Sequence, residues 1–531
     1  MKAGSRHWFI LFGLTVLAGL ALRLWQLPSQ ILADDEWHAL NTLLKHDAGY
    51  IFRHFGHADH SIPLTLYYAL LANTLGLSEF AMRLPLVLAG IALLLAIPWL
   101  SKDLLDRGEQ WVCTAFLALS PLAIYYSRTA RPYALSMLLT FTALWLLLRW
   151  WREPRAGRAF GFVVCAALAG WLHPVSLAFT GAAMLFVGTA RLLDAIRGRE
   201  WRPLVQMILL GTALLAPLAA LLAPPVVSDW QAFAGKTGSH VIQLATVGQS
   251  VQLFAGTSSK WVAGAWLLVG LYGAGRLFRR DRQLTAFWVW TIATPPFVIA
   301  MTQADWIHHA LVFTRYNLLV LPVFAMFAAV GLLALFRGLG AARLPAAGGT
   351  LLALFATGPV PQLLPAPNQF TGHMSYQFDY DAERNVYNQS LQPAQIPAFY
   401  RDLGHRPGQY VLVEAPWSME WHFNPLHFYQ QAHRQKVLIG FLDGLCASDR
   451  YGEYPATATR QLAMRHFIHL DDLERNTSAA DFLVFHRQLP GGSPPGIDIC
   501  LAKLNQRLGA PVFEDETITV FSLGADAADA S

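Results

Sequence analysis

Twelve apolar runs of bilayer-crossing character, separated by short polar loops with clustered arginines, constrain this chain more than any other feature. About 20 consecutive apolar residues cross the hydrocarbon core as a helix. The runs lie at about 8–27, 62–78, 84–100, 111–124, 132–149, 159–173, 175–192, 204–223, 260–275, 284–301, 316–336 and 346–362. The first could be a cleaved signal peptide, but such a segment has a shorter apolar core followed by a small-residue cleavage site. Further spans follow it, so an uncleaved anchor is expected. Composition agrees: 54% of the residues are hydrophobic and 14% charged, against about 25% charged in an ordinary soluble domain. A soluble multidomain enzyme, a disordered protein and a disulfide scaffold are excluded.

The arginines orient the spans, because short basic loops stay in the cytoplasm. Arg149, Arg152, Arg155 and Arg158 mark one such loop, and Arg191, Arg197, Arg199 and Arg202 a second. Arg276, Arg279, Arg280 and Arg282 mark a third, and Arg337 with Arg343 a fourth. The loops at 125–131, around His173, at 224–259 and at 302–315 then face the other side, together with everything after 363. The N-terminal third breaks this parity. Lys2 and Arg6 put the N-terminus inside, so 28–61 is an outer loop, yet three spans before Tyr125 would return that residue to the cytoplasm. One of 62–78, 84–100 and 111–124 is therefore a broken or non-spanning helix, or a further span exists. The expected architecture is mainly α, with about 12 to 13 transmembrane helices over 1–362.

Residues 365–531 hold 12 Lys+Arg against 19 Asp+Glu, whereas 1–364 hold 27 against 15. The net charge of +5 thus belongs to membrane loops and recruits no nucleic acid. The runs GQYVLVEAP, QKVLIGFL, ADFLVFHR and TITVFSL have the β-branched and aromatic content of strands, and Ala456–Phe467 patterns as a helix. They predict a C-terminal extracytoplasmic α/β domain over 363–531. Cys113 and Cys165 sit in apolar runs and read as packing. Cys446 and Cys500 lie in the tail, where an oxidising compartment allows a disulfide without implying one.

The outer loop 28–61 carries three consecutive carboxylates, Asp34, Asp35 and Glu36, and then Asp59-His60 before the next apolar run. Packed like charges raise a pKa or demand a cation. An isolated acidic triplet is most simply a solvated loop. Here Trp37, Leu40, Leu43, Leu44, Tyr50, Phe52 and Phe55 suggest short amphipathic helices that hold the acids at the membrane surface.

The strings Asp35-Glu36, Asp59-His60-Ser61-Ile62-Pro63-Leu64-Thr65-Leu66-Tyr67-Tyr68, Phe80-Ala81-Met82-Arg83-Leu84-Pro85 and Tyr125-Tyr126-Ser127-Arg128-Thr129-Ala130-Arg131-Pro132-Tyr133-Ala134-Leu135 occur in order, followed by Arg315-Tyr316 and Leu321-Pro322. In this the chain resembles glycosyltransferase family 39 and its bacterial relatives, membrane enzymes of the GT-C fold similar to protein O-mannosyltransferases and the lipid A aminoarabinose transferase. The resemblance is good over 20–150, thinner to 340 and absent in the tail. Ser61-Ile62-Pro63 departs from the family's Pro-Pro after Asp-His.

The resemblance implies transfer of a sugar from a polyprenyl-phosphate donor to an acceptor outside the cytoplasm, in a bacterial inner membrane, with an essential acid in the first outer loop. Such a displacement needs a carboxylate to accept the acceptor hydroxyl's proton and cations to stabilise the departing phosphate. Asp35 is the expected general base, with Asp34 or Glu36 orienting it. Arg128, Arg131, Arg315 and Lys260 are candidates for the donor phosphate, with His308 and His309 nearby in sequence. Asp59, His60, Tyr67, Tyr133 and Tyr316 are expected to contact substrate. Each cation has a plainer alternative: Arg128 and Arg131 could snorkel to headgroups, Lys260 could anchor a helix at the interface, and Arg315 could pair with a loop acid. Glu36, Asp59 and His60 have the chemistry to hold a divalent ion, although no fixed ligand spacing demands one. A lipid-linked sugar transporter would place its charges inside the spans, in repeated halves. A polysaccharide polymerase or ligase would take a lipid-diphosphate donor instead.

Overall fold

The computed structural model describes residues 3–25, 27–28, 31–32, 34–55, 61–198, 200–238, 240–360, 395–417, 426–441, 467–469, 480–488 and 497–523. Two compact units emerge. The first joins 1–25, 52–64 and 83–363, and the second joins 26–51, 65–82 and 364–531.

The helices up to residue 356 are α1 (Ala3–Leu24), α2 (Trp37–Lys45), α3 (Ala48–Arg53), α4 (Ile62–Asn73), α5 (Glu79–Ser101), α6 (Arg107–Leu119), α7 (Pro121–Arg128), α8 (Tyr133–Arg152) and α9 (Ala156–Leu172). They continue with α10 (Ser176–Gly198), α11 (Arg202–Ser228), α12 (Trp230–Ala234), α13 (Leu244–Ala255), α14 (Lys260–Arg280), α15 (Arg282–Thr302), α16 (Ala310–Tyr316), α17 (Val320–Leu335) and α18 (Arg343–Ala356). Among the described residues seven helical segments are long and apolar enough to cross a membrane, and the bent pair α16–α17 makes an eighth. Three more apolar helices, Trp8–Leu24, α4 and α9, are shorter. The chain is a multi-pass membrane protein.

Two of the apolar runs are broken, one of them among the three for which loop parity called for a break. The run 111–124 divides at Ser120, which accepts a hydrogen bond from the Ala123 amide and starts α7, with Pro121 in the first helical position that proline favours. The run 316–336 bends by 85° between α16 and α17. Pro322 has no amide hydrogen to give the Leu318 carbonyl, and its ring clashes with that group, so a helix begun at Ala310 cannot run through. The expected loop 224–259 contains the end of α11 as well as α12 and α13. Pro224 and Pro225 sit inside α11 rather than ending it.

Two arginines brace the first unit. At the break after α6, Arg23 donates to the carbonyls of Leu117 (3.1 Å) and Ala118 (3.2 Å) and to the Ser127 hydroxyl. Those carbonyls end a helix and have no intrahelical donor. Reciprocally, Arg128 at the end of α7 donates to the carbonyls of Leu22 (3.0 Å), Arg23 (3.3 Å) and Trp25 (2.7 Å) at the end of α1. Elsewhere α14 and α17 pack backbone to backbone: a Cβ on Gly273 would lie 1.8 Å from the Phe327 carbonyl oxygen, and one on Gly331 would lie 2.1 Å from that of Val269. Small residues permit this close approach of membrane helices. Glu109 of α6 receives a bidentate pair from Arg280 of α14, at 2.8 and 2.7 Å.

In the second unit the tail forms a six-stranded sheet from β1 (Val411–Trp417), β2 (Lys436–Phe441), β3 (Phe467–His469), β4 (Phe482–His486), β5 (Phe513–Glu514) and β6 (Ile518–Ser522). The strand order is β3-β2-β1-β4-β6-β5. The first four strands are parallel, and β6 and β5 are antiparallel. One face packs Val413, Ala415, Leu483 and Phe485 against Leu501 and Leu504 of the helix Ile497–Leu508. The alternate residues Leu412, Glu414, Phe482 and Val484 face the other way, and the helices Ala398–His405 and Leu426–His433 supply aromatic residues to that side. Cys500 is disulfide-bonded, and Cys446 lies outside the described residues. Of the expected helix 456–467 only Phe467 is described, and it opens β3.

Candidate active site

Three interruptions in the first unit present its polar side chains at helix ends. Between α7 and α8 the backbone is extended at Thr129, and Pro132 disfavours a helical Arg131 before it. Between α9 and α10, His173 is extended before Pro174 (φ −155°, ψ 106°). Between α16 and α17 the 85° bend leaves Arg315 and Tyr316 in the last turn of the short arm.

These interruptions meet. Tyr133, Ser136 and Thr140 of α8, His173, Ser176, Arg315 and Tyr316 line a small, partly open cavity together with Met137, Phe179, Leu318 and Leu319. The Arg315 guanidinium carbon lies 5.8 Å from the Tyr133 ring centre and 5.5 Å from that of Tyr316. Arg131, itself buried, lies 5.9 Å from the same Tyr133 ring. His173 packs against both tyrosines, with ring centres 5.2 Å from Tyr133 and 5.7 Å from Tyr316. The Ser136 and Ser176 hydroxyls bond to each other, while the buried Thr140 hydroxyl has no partner among the described residues. A guanidinium held over an aromatic face keeps its charge and its donors in a partly desolvated place. The cavity therefore combines a cationic donor, hydroxyls and aromatic faces, and among the described residues no carboxylate lines it.

The acidic segment belongs to the second unit. Asp34, Asp35 and Glu36 form one 3₁₀ turn that leads directly into α2, and the Trp37 indole donates to the Leu32 carbonyl (3.1 Å). Trp37 and Leu40 anchor this piece, being 1% and 0% exposed. Glu36 is fully buried, whereas Asp35 keeps some exposure and its Oδ1 lies 3.8 Å from His38 Nε2. Asp35 is thus the better placed of the two to meet a substrate. Nothing is described of the Asp34 side chain. Asp59 and His60 lie outside the described residues, and so does any metal site they would complete with Glu36. Among the described residues no group of three His, Cys, Asp or Glu side chains is placed to hold a metal ion.

The remaining candidates lie elsewhere. Arg128 is committed through Nη1 to the end of α1. Lys260 is exposed at the start of α14 with its ammonium 5.5 Å from the ring of Trp261, itself 80% exposed, the arrangement of an interfacial anchor. The Tyr67 hydroxyl donates to the Ala81 carbonyl (2.9 Å) and ties α4 to the start of α5. His308 and His309 stack with His240 and Trp306. Burial and the neighbouring imidazoles hold both below the ordinary histidine value. The sequence reading missed His173, Ser136, Ser176 and Thr140. For His173 the signal was available: a lone His-Pro between two apolar runs.

No family model matches the chain, and no curated protein matches it. Among solved structures, ArnT from Cupriavidus metallidurans in the apo state aligns over 99% of both chains, at 12% identity and a TM-score of 0.51. The Archaeoglobus fulgidus oligosaccharyltransferase aligns over 90% of this chain and 69% of its own, at 12% identity and a TM-score of 0.46. The end-to-end match to ArnT establishes the architecture expected from the motifs, a GT-C membrane domain with a C-terminal sheet domain.

Proposed function

We propose that the protein is an integral membrane glycosyltransferase that moves a sugar from a polyprenyl-phosphate donor to an extracytoplasmic acceptor by an inverting displacement. The observation that carries this reading is the Arg131–Tyr133–Arg315 cluster, of which Tyr133 and Arg315 line a cavity, within a fold shared end to end with ArnT. ArnT from the same Cupriavidus source has also been solved bound to undecaprenyl phosphate, which is a ligand of the donor class proposed here.

In the proposed reaction the acceptor hydroxyl oxygen attacks the anomeric carbon and the bond from that carbon to the phosphate oxygen breaks. The hydroxyl proton passes to Asp35, and the polyprenyl phosphate leaves as an anion. A positioned base contributes about 10²–10⁴-fold. Arg131 and Arg315 stabilise the charge that grows on the phosphate, and bidentate guanidinium contacts suit its geometry. A single displacement inverts the configuration; a carboxylate nucleophile would retain it. The arginine-rich loops support a reading in which the catalytic loop and the tail lie outside the cytoplasm, and the proposed membrane is a bacterial inner membrane.

The test is purified Asp35→Asn protein supplied with labelled polyprenyl-phosphate sugar. Loss of transfer at normal protein level supports the base assignment, and undiminished transfer removes it.

A further inference from the structure

The interruption between α9 and α10 does more than end a helix. In the string Trp171-Leu172-His173-Pro174, the proline disfavours a helical His173. Both backbone groups of His173 are used: its amide donates to the Ala169 carbonyl (2.9 Å), and its carbonyl accepts from the Ser176 amide (3.0 Å). The turn therefore has a fixed shape, and it brings the imidazole to the cavity wall.

That ring closes a circuit of contacts around Arg315. The guanidinium faces Tyr133 and Tyr316, and His173 packs on the same two rings, at 5.2 and 5.7 Å between centres. Tyr133 opens α8 and Tyr316 ends α16, so no single helix sets the spacing of the two tyrosines. A guanidinium on a long flexible stem keeps one orientation only where the side chains around it are themselves locked by packing. His173 spans the two tyrosines from the end of α9 and supplies such a lock.

The same turn is tied to the end of the first outer loop. Ser61 is buried and donates its hydroxyl to the Leu172 carbonyl (3.0 Å), one of the carbonyls at the end of α9 that have no intrahelical donor. Phe52 adds an edge-on ring contact with Trp171, 6.2 Å between centres. Ser61 stands where the chain departs from the family's Pro-Pro after Asp-His, and a proline there would have no side-chain donor for Leu172. The departure thus has a structural counterpart, one residue from His173.

We propose, resting on the transfer reading above, that His173 is a positioning residue for Arg315 and that Ser61 fixes the turn on which His173 stands. His173 braces Tyr133 and Tyr316, and those two rings orient the guanidinium toward the donor phosphate. It acts through Arg315, so its contribution to donor binding exists only while Arg315 is present. The role asks for a flat ring at this position and assigns no proton transfer to the imidazole.

The experiment is equilibrium binding of labelled undecaprenyl phosphate to the purified full-length protein, with thermal unfolding of each variant recorded alongside. His173→Ala is expected to weaken binding about tenfold, a coupling of ordinary size between side chains in contact. His173→Phe, which keeps a flat ring between the tyrosines, is expected to restore most of that loss. In an Arg315→Ala background His173→Ala should cost nothing further, whereas residues that act independently would add. Ser61→Ala removes one hydroxyl and so reports on the turn if His173→Ala fails to fold. It should weaken binding about threefold, a loss recovered by Ser61→Thr and absent in the Arg315→Ala background. Unchanged binding in His173→Ala, a His173→Phe protein as weak as His173→Ala, or losses that add in full to that of Arg315→Ala would overturn the proposal and leave the transfer reading standing. Wild-type protein that binds no undecaprenyl phosphate would overturn both.

Discussion

Arg315 and Tyr133 lie on helices far apart in sequence, and the guanidinium carbon of the first sits 5.8 Å from the ring centre of the second at the wall of the cavity. Arg315→Ala is expected to lower kcat/KM for transfer about 100-fold, equivalent to about 3 kcal/mol of transition-state stabilisation. Arg315→Lys should recover only part of this, because an ammonium cannot reproduce a planar fork held over a ring. Steady-state transfer with a polyprenyl-phosphate sugar measures both.

Arg128 and Arg131, three residues apart, are expected to separate cleanly. Arg128→Leu leaves the carbonyls of Leu22, Arg23 and Trp25 short of a buried donor, which costs roughly 1–3 kcal/mol. Its melting temperature should fall, and the surviving folded protein should bind donor lipid normally. Arg131→Leu should do the reverse, weakening donor binding with a smaller loss of stability. Thermal unfolding and lipid-phosphate binding, measured on both variants, decide the assignment.

The α14–α17 contact has no room for a methyl group at Gly273, whereas a Cβ on Gly264 of the same helix meets nothing within 4 Å. Gly273→Ala is expected to destabilise the protein by roughly 2–4 kcal/mol, as overpacking in a tight interface does. Gly264→Ala should be neutral. Unfolding of the two variants in the same detergent provides the comparison.

Acid should loosen the tail sheet through His433. Its folded pKa is lowered by burial to about 3, against about 6.5 in an unfolded chain. Between these values the unfolded state binds more protons, so the stabilisation is complete above about 6.5 and is lost as pH falls toward 3. By pH 5 the loss from this residue is about 2 kcal/mol. Amide exchange in β1 and β4, corrected for its intrinsic pH dependence, should show that loss, and His433→Phe should remove it.

Legibility in the sequence divided along physical lines. Hydropathy located the membrane helices because burial in lipid is a property of whole runs. Loop parity called for one broken or non-spanning helix among 62–78, 84–100 and 111–124, but hydropathy did not locate the breaks at Ser120 and at 317–319, which depend on single residues: one hydroxyl cap, and one proline several positions downstream. The strands β1, β2, β4 and β6 were legible in their β-branched and aromatic runs, while β3 and β5, at three and two residues, are too short to leave a pattern. Tyr133, Arg131, Arg315 and Tyr316 were named as candidates from their motifs. His173, Ser136 and Ser176 were not, because one polar residue at a helix end looks the same whether it lines a cavity or only closes the helix. Arg128 and Arg131 carry the same signal in one dimension, and only coordinates reveal that the first already holds the end of α1.

The most direct measurement is the identity of the two products released by the reconstituted protein from an α- or β-defined polyprenyl-phosphate sugar. An inverting transferase releases polyprenyl monophosphate and a glycoside of the opposite anomeric configuration, in equal amounts. A glycoside of retained configuration, or lipid-linked sugar moved across the bilayer with its phosphate bond intact, would contradict the proposed chemistry.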